Sequence, residues 1–156
     1  MNIPQAYKFV LTTVFVVVFI ALSGVGAYAQ ATPAEVPAPN KYMYKGTSLG
    51  LSADEIRGKL GNPRDKSAAL DLYVFSDEES AQFIYDDKGV VRAIVLTFST
   101  KMSKAPTPKD VFGEEVPANA DGGVFKMVRY PKAGYWISYN RVPGSDGIIS
   151  VAMQKI

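Results

Sequence analysis

The chain has 156 residues with 17 basic and 15 acidic side chains, and it contains neither cysteine nor histidine. Those absences exclude Cys/His zinc centres, Ser-His-Asp and Cys-His nucleophile systems and CxxC redox chemistry. The even charge balance lacks the clustered basic footprint of a nucleic-acid binder, and a chain of this length buries one adequate core, not two large ones.

The first elements in chain order are those of an export leader. Met1 to Lys8 is short with one positive charge, Phe9 to Leu22 is an uncharged apolar run, and Ser23 to Ala29 is rich in small residues. Ala27-Tyr28-Ala29 and Ala29-Gln30-Ala31 are overlapping A-x-A cleavage patterns. Residues 1–29 are therefore predicted to be a signal peptide, cut after Ala29 or Ala31. The alternative is an uncleaved anchor, since Phe9 to Ala29 just reaches the roughly 20 residues a spanning helix needs. Cleavage leaves no stable membrane span, and no cysteine is present for lipid attachment. The predicted location is periplasmic or secreted.

Residues 30–40 (QATPAEVPAPN) hold three prolines and no hydrophobic period, the composition of an extended linker. The folded domain is predicted over 41–156. Ser52 with Glu55 three residues on makes a capping box for a helix over 53–60, which Gly61-Asn62-Pro63 ends. Leu60, four residues after Ile56, is predicted to press on a sheet. Period-two alternation then marks strands at 70–75, 81–85 and 90–98, the last two joined by Asp86-Asp87-Lys88-Gly89. Thr107-Pro108 caps a second, shorter helix that meets Gly113. Further strands are predicted at 124–130, 135–142 and 148–154.

The two halves align weakly as a repeat, the first copy about 46–100 and the second about 103–156. Phe83, Tyr85 and Asp86 correspond to Ile137, Tyr139 and Asn140, and Ile94, Leu96 and Phe98 to Ile149, Val151 and Met153. The predicted fold class is accordingly α+β: two tandem helix-plus-three-strand units forming an antiparallel sheet, with helices packed on one face.

Several stretches between Gly46 and Phe98 carry a family resemblance: Leu49-Gly50-Leu51-Ser52, Leu60-Gly61-Asn62-Pro63, Asp71-Leu72-Tyr73-Val74-Phe75 and Ile84-Tyr85-Asp86-Asp87-Lys88-Gly89 through Ile94. In these the chain resembles the BamE (SmpA/OmlA) family of outer-membrane assembly factors, over about a third of its length. The wider fold group includes tandem-repeat proteinaceous β-lactamase inhibitors, whose two-copy layout is similar. The resemblance implies a non-enzymatic envelope protein that works by protein–protein contact.

Among chemical constellations, Asp77-Glu78-Glu79 with Asp86-Asp87 lacks EF-hand spacing and reads as solvated turns. Nothing sets Glu114-Glu115 and Asp121 at the separation glycoside hydrolysis requires. No catalytic, metal or cofactor-binding residue is predicted, and the chain is not expected to be an enzyme. The densest aromatic and basic segment spans Arg129 to Arg141. Alternation there sends Tyr135, Ile137 and Tyr139 to one face and Trp136, Ser138 and Asn140 to the other. Those last three are the candidate partner contacts, with Trp136 foremost, because Trp is a frequent interface anchor. The predicted function is a protein-binding module of the cell envelope contacting another envelope or secreted protein. The alternatives are an inhibitor of a secreted enzyme and a small-ligand or glycan binder.

Overall fold

A computed structural model describes residues 42–156. The predicted leader over 1–29 and linker over 30–40 lie outside the described residues. No helix among the described residues is long and apolar enough to cross a membrane.

The elements in chain order are α1 (Ala53–Leu60), β1 (Asp65–Lys66), β2 (Leu70–Ser76), β3 (Glu79–Tyr85), β4 (Val91–Ser99), α2 (Pro108–Phe112), β5 (Val124–Tyr130), β6 (Tyr135–Val142) and β7 (Ile148–Lys155). All seven strands form one antiparallel sheet in the order β1-β2-β3-β4-β7-β6-β5. Hairpins make β2-β3-β4 and β5-β6-β7 two meanders, since short turns can only join antiparallel neighbours. The segment 100–123 carries the chain from the middle of the sheet to its far edge. β7 then returns to close the centre, pairing with β4 from Ala93↔Gln154 to Ser99↔Ile148.

Local chemistry explains the turns. Asp86 Oδ1 accepts from the amides of Lys88 (3.0 Å) and Val90 (2.9 Å), and Gly89 supplies the positive φ of 71° that closes the hairpin. One extra residue, Arg92, sits where the register shifts between Ile84↔Ala93 and Tyr85↔Val91. That bulge keeps both Val91 and Ile94 on the buried side, each fully inaccessible.

One face of the sheet carries the core. Tyr73, Ala81, Leu96, Val151 and Tyr139 lie in one cross-strand row, and Asp71, Phe83, Ile94, Met153 and Ile137 in the next; all are buried. Three pieces cover them. Ile56 of α1 and Val111 of α2 both belong to the core cluster. Between them comes the segment before α1, whose Tyr44 ring meets Phe75 and Phe98 edge-on at 6.0 and 6.2 Å.

This overturns the predicted fold class. The molecule is mostly an antiparallel seven-stranded sheet and not two helix-plus-three-strand units with helices packed on it. The Ser52–Glu55 capping box forms as read, and Thr107 caps the second helix as read, with Asp110 completing a capping box there too. The helices they start are only eight and five residues long, because left-handed Gly113 (φ 80°) ends the second after little more than one turn. Such short helices cannot roof a sheet seven strands wide at about 4.8 Å per strand. The first half also has an added strand, β1, with no counterpart in the second. Within α1 it is Ile56 that is fully buried, whereas Leu60 is half-buried against the core edge.

Candidate functional site

Strand alternation leaves the opposite face of the sheet with three cross-strand rows. The first runs Leu70, Ile84, Ala93, Gln154, Trp136, Arg129. The second runs Leu72, Gln82, Val95, Ala152, Ser138, Met127, and the third Val74, Ser80, Thr97, Ser150, Asn140, Phe125. Between β2 and β5 Arg129 is the one charged residue in these rows, and Asp65 of β1, opposite Leu72, adds a carboxylate at the far edge. Among the described residues, no core cluster forms on this face as one does around Ile56, Tyr44 and Val111 on the other, and its large side chains reach solvent. Phe125 is 66% exposed, Val142 52%, Met127 47%, Ile148 46% and Val74 41%.

The three predicted contacts, Trp136, Ser138 and Asn140, are brought together on this face, consecutive along β6 and all half-buried. Trp136 lies between Arg129 of β5 and Gln154 of β7. The rest of the aromatic and basic segment is dispersed. Tyr139 is buried on the core side, the Tyr130 and Tyr135 rings meet at a 32° tilt at the hairpin end with centroids 5.0 Å apart, and Arg141 donates to the Gly122 carbonyl at 3.1 Å.

Sequence reading missed Phe125, Met127, Val142, Ile148 and Val74, the most exposed large apolar groups on this face. A signal existed in β5, where Phe125, Met127 and Arg129 share one parity against Val124, Lys126, Val128 and Tyr130. It was obscured because Lys126 sits on the covered parity; its ammonium is tied to Glu114 and lies 5.4 Å from the Phe112 ring centroid.

The far end of the open face is concave. A hollow of about 570 Å³ there is floored by Val74, Ser80, Thr97 and Ile148. Its rim is acidic, with Asp77, Glu78 and Asp146, the last paired with Lys101 at 3.0 Å. A smaller depression of about 220 Å³ lies beside Phe125, Asn140 and Val142. Asp77-Glu78-Glu79 and Asp86-Asp87 fall at opposite ends of β3, about 20 Å apart by strand length. No group of side chains suited to a metal ion occurs among the described residues.

One buried polar group lies under the other face. The Asp71 carboxylate is inaccessible and accepts from Arg57 Nε (2.8 Å), Arg57 Nη2 (3.0 Å) and Tyr85 Oη (2.8 Å). Burial, and then the hydrogen bond to Asp71, raise the Tyr85 phenol above its ordinary range. With its oxygens engaged by three donors, Asp71 has no free geometry for acid–base work. It clamps α1 to β2 and β3.

No family model matches this chain, and neither a curated protein nor a solved structure matches it.

Proposed function

We propose that the chain is an exported, non-enzymatic protein of the cell envelope that binds another protein through the open face of its sheet. The observation that carries this reading is the face itself. From β2 to β5 its three rows hold one charge, Arg129, and it exposes Phe125 and Met127 along β5, the strand next to that of Trp136. Large apolar side chains clustered at an exposed surface, as Phe125 and Met127 are on β5, mark interaction sites. Trp136 with Arg129 beside it supplies the residue types that dominate interface energetics. The resemblance of Gly46 to Phe98 to outer-membrane assembly factors supports the same reading, and the leader pattern supports export. N-terminal sequencing of exported protein is expected to begin at Gln30 or Thr32; full-length protein retained in the membrane would refute cleavage.

The binding test uses variants that alter the open face alone. Val95→Lys sets a charge at the centre of the face, and Trp136→Ala removes its largest side chain. Immobilised wild type is expected to retain an envelope protein from periplasmic extract that neither variant retains, with both variants melting within a few degrees of wild type. Equal retention by all three removes the face from the function. Retention of a secreted hydrolase, lost in the same variants and accompanied by its inhibition, would instead establish the inhibitor reading.

A further inference from the structure

The two edges of the sheet differ. At one edge β1 covers part of β2 through Asp65↔Leu72 and Lys66↔Asp71, and the flanking amides of Arg64 and Ser67 bond Leu72 and Leu70. Beyond that cover, β2 is bent by a register shift between Val74 and Ser76. Short covering strands and bulges are the usual devices that stop an edge from recruiting another strand. At the other edge β5 has neither a covering strand nor a bulge, and its one inward charge, Lys126, is neutralised by Glu114. Its seven residues pair with β6 in unbroken register from Val124↔Arg141 to Tyr130↔Tyr135, and it holds no proline. Among the described residues, the backbone of Phe125 to Arg129 bonds only to β6, so its outward amides and carbonyls are unpaired. Phe125 and Met127 beside that edge are the most exposed apolar side chains of the strand.

We infer that β5 is a self-association edge, and that two copies of this chain join antiparallel through it into one continuous sheet. The pleat restricts the register, since residues directly opposite in an antiparallel pair share a face. A two-fold axis through Met127 overlaps all seven residues of β5. It sets Met127 against Met127 and Phe125 against the second copy's Arg129 on the open face. Each guanidinium then meets an aromatic ring, a favourable cation–π pairing made twice by symmetry. Moving the axis one residue earlier, to Lys126, would oppose two like charges and shorten the ladder. A closed two-fold contact of this kind is the commonest way homo-oligomers form. Joining at β5 aligns the two open faces side by side, which doubles the surface offered to a partner. The inference rests on the edge and not on the binding role of the face, and either stands if the other fails.

The absence of native cysteine makes the register directly testable. Opposed Cα atoms lie about 4.5–5.5 Å apart, inside the limit of about 7 Å for a disulfide. The full chain in mild detergent, treated with an oxidant, is expected to give a disulfide-linked dimer for Met127→Cys. Phe125→Cys is more exposed, yet its two copies would lie about 14 Å apart along the strands, and no link is expected. The double variant Phe125→Cys/Arg129→Cys is expected to link again. Light scattering supplies a second readout: Phe125→Arg opposes two guanidinium groups and is expected to give monomer, whereas Phe125→Glu opposes Arg129 with a carboxylate and is expected to stay dimeric. Linking that follows exposure instead of register, no linking at any position, or a monomeric wild type would each overturn the inference.

Discussion

On one face of the sheet Phe83, Ile94, Leu96, Ile137 and Val151 are sealed from water, while on the opposite face Val74, Val142 and Phe125 stand 41–66% exposed. Both faces carry large apolar side chains, though the open face mixes them with Ser, Thr, Asn and Gln, and both are made by the same alternation. What separates them is the material laid across them. Ile56, Tyr44 and Val111 seal the first, and among the described residues no such layer covers the second. Apolar content alone therefore does not make a core; a core needs a second layer. A face that is apolar without that layer is available for another molecule.

The largest expected contrast between the faces is Phe83→Ala against Val142→Ala, which lies on the open face away from β5. The first empties a fully buried site and is expected to cost about 4 kcal/mol, the second to stay within about 0.5 kcal/mol, both read from denaturant melts. Equal losses would mean that the open face is covered in solution. Next comes the clamp beneath the covered face. Asp71→Ala leaves Arg57 and Tyr85 without their shared acceptor and is expected to destabilise by about 3 kcal/mol, the usual consequence of breaking a buried pair. A small effect would show that water reaches Arg57, whose side chain is 22% exposed.

A finer contrast lies within α1. Ile56→Ala is expected to cost about 2–3 kcal/mol and Leu60→Ala about 1 kcal/mol, because only the first is fully buried. The reverse order would mean that α1 is rotated on the sheet. The smallest effect is in alkali. Burial, with the nearby charges of Asp110 and Glu79, raises the Tyr42 phenol to about 12. Tyr44 is raised by burial and its 2.7 Å hydrogen bond to Glu79. Unfolded phenols titrate near pH 10. Because the folded values are higher, this contribution is complete below about pH 10 and is lost as pH rises toward 12 and beyond. Melts across that window are expected to fall less steeply for Tyr42→Phe than for wild type, and parallel curves would contradict the burial of Tyr42.

Much of the local structure was legible in the residues. Alternation marked the six long strands between Leu70 and Gln154, Ser52 and Thr107 marked both helix starts, and Asp86 to Gly89 marked the hairpin turn. Alternation also put Trp136, Ser138 and Asn140 on one face, since opposite side-chain directions at successive residues follow from strand geometry alone. The less visible features were those that depend on partners distant in sequence. β1 is two residues long and exists only because Leu72 and Asp71 are there to pair with it. That β7 fills the centre beside β4 and leaves β5 at an edge depends on where the segment 100–123 delivers the chain. The repeat pattern suggested two roofed units, yet Gly113 left too little helix to roof the second. The sequence by itself determined which residues share a face, because that is covalent geometry repeated every two residues. Only the tertiary structure decided which face is sealed, which edge is bare, and that Phe125 and Met127 stand beside it. Burial and pairing are relations between segments, and no single segment contains them.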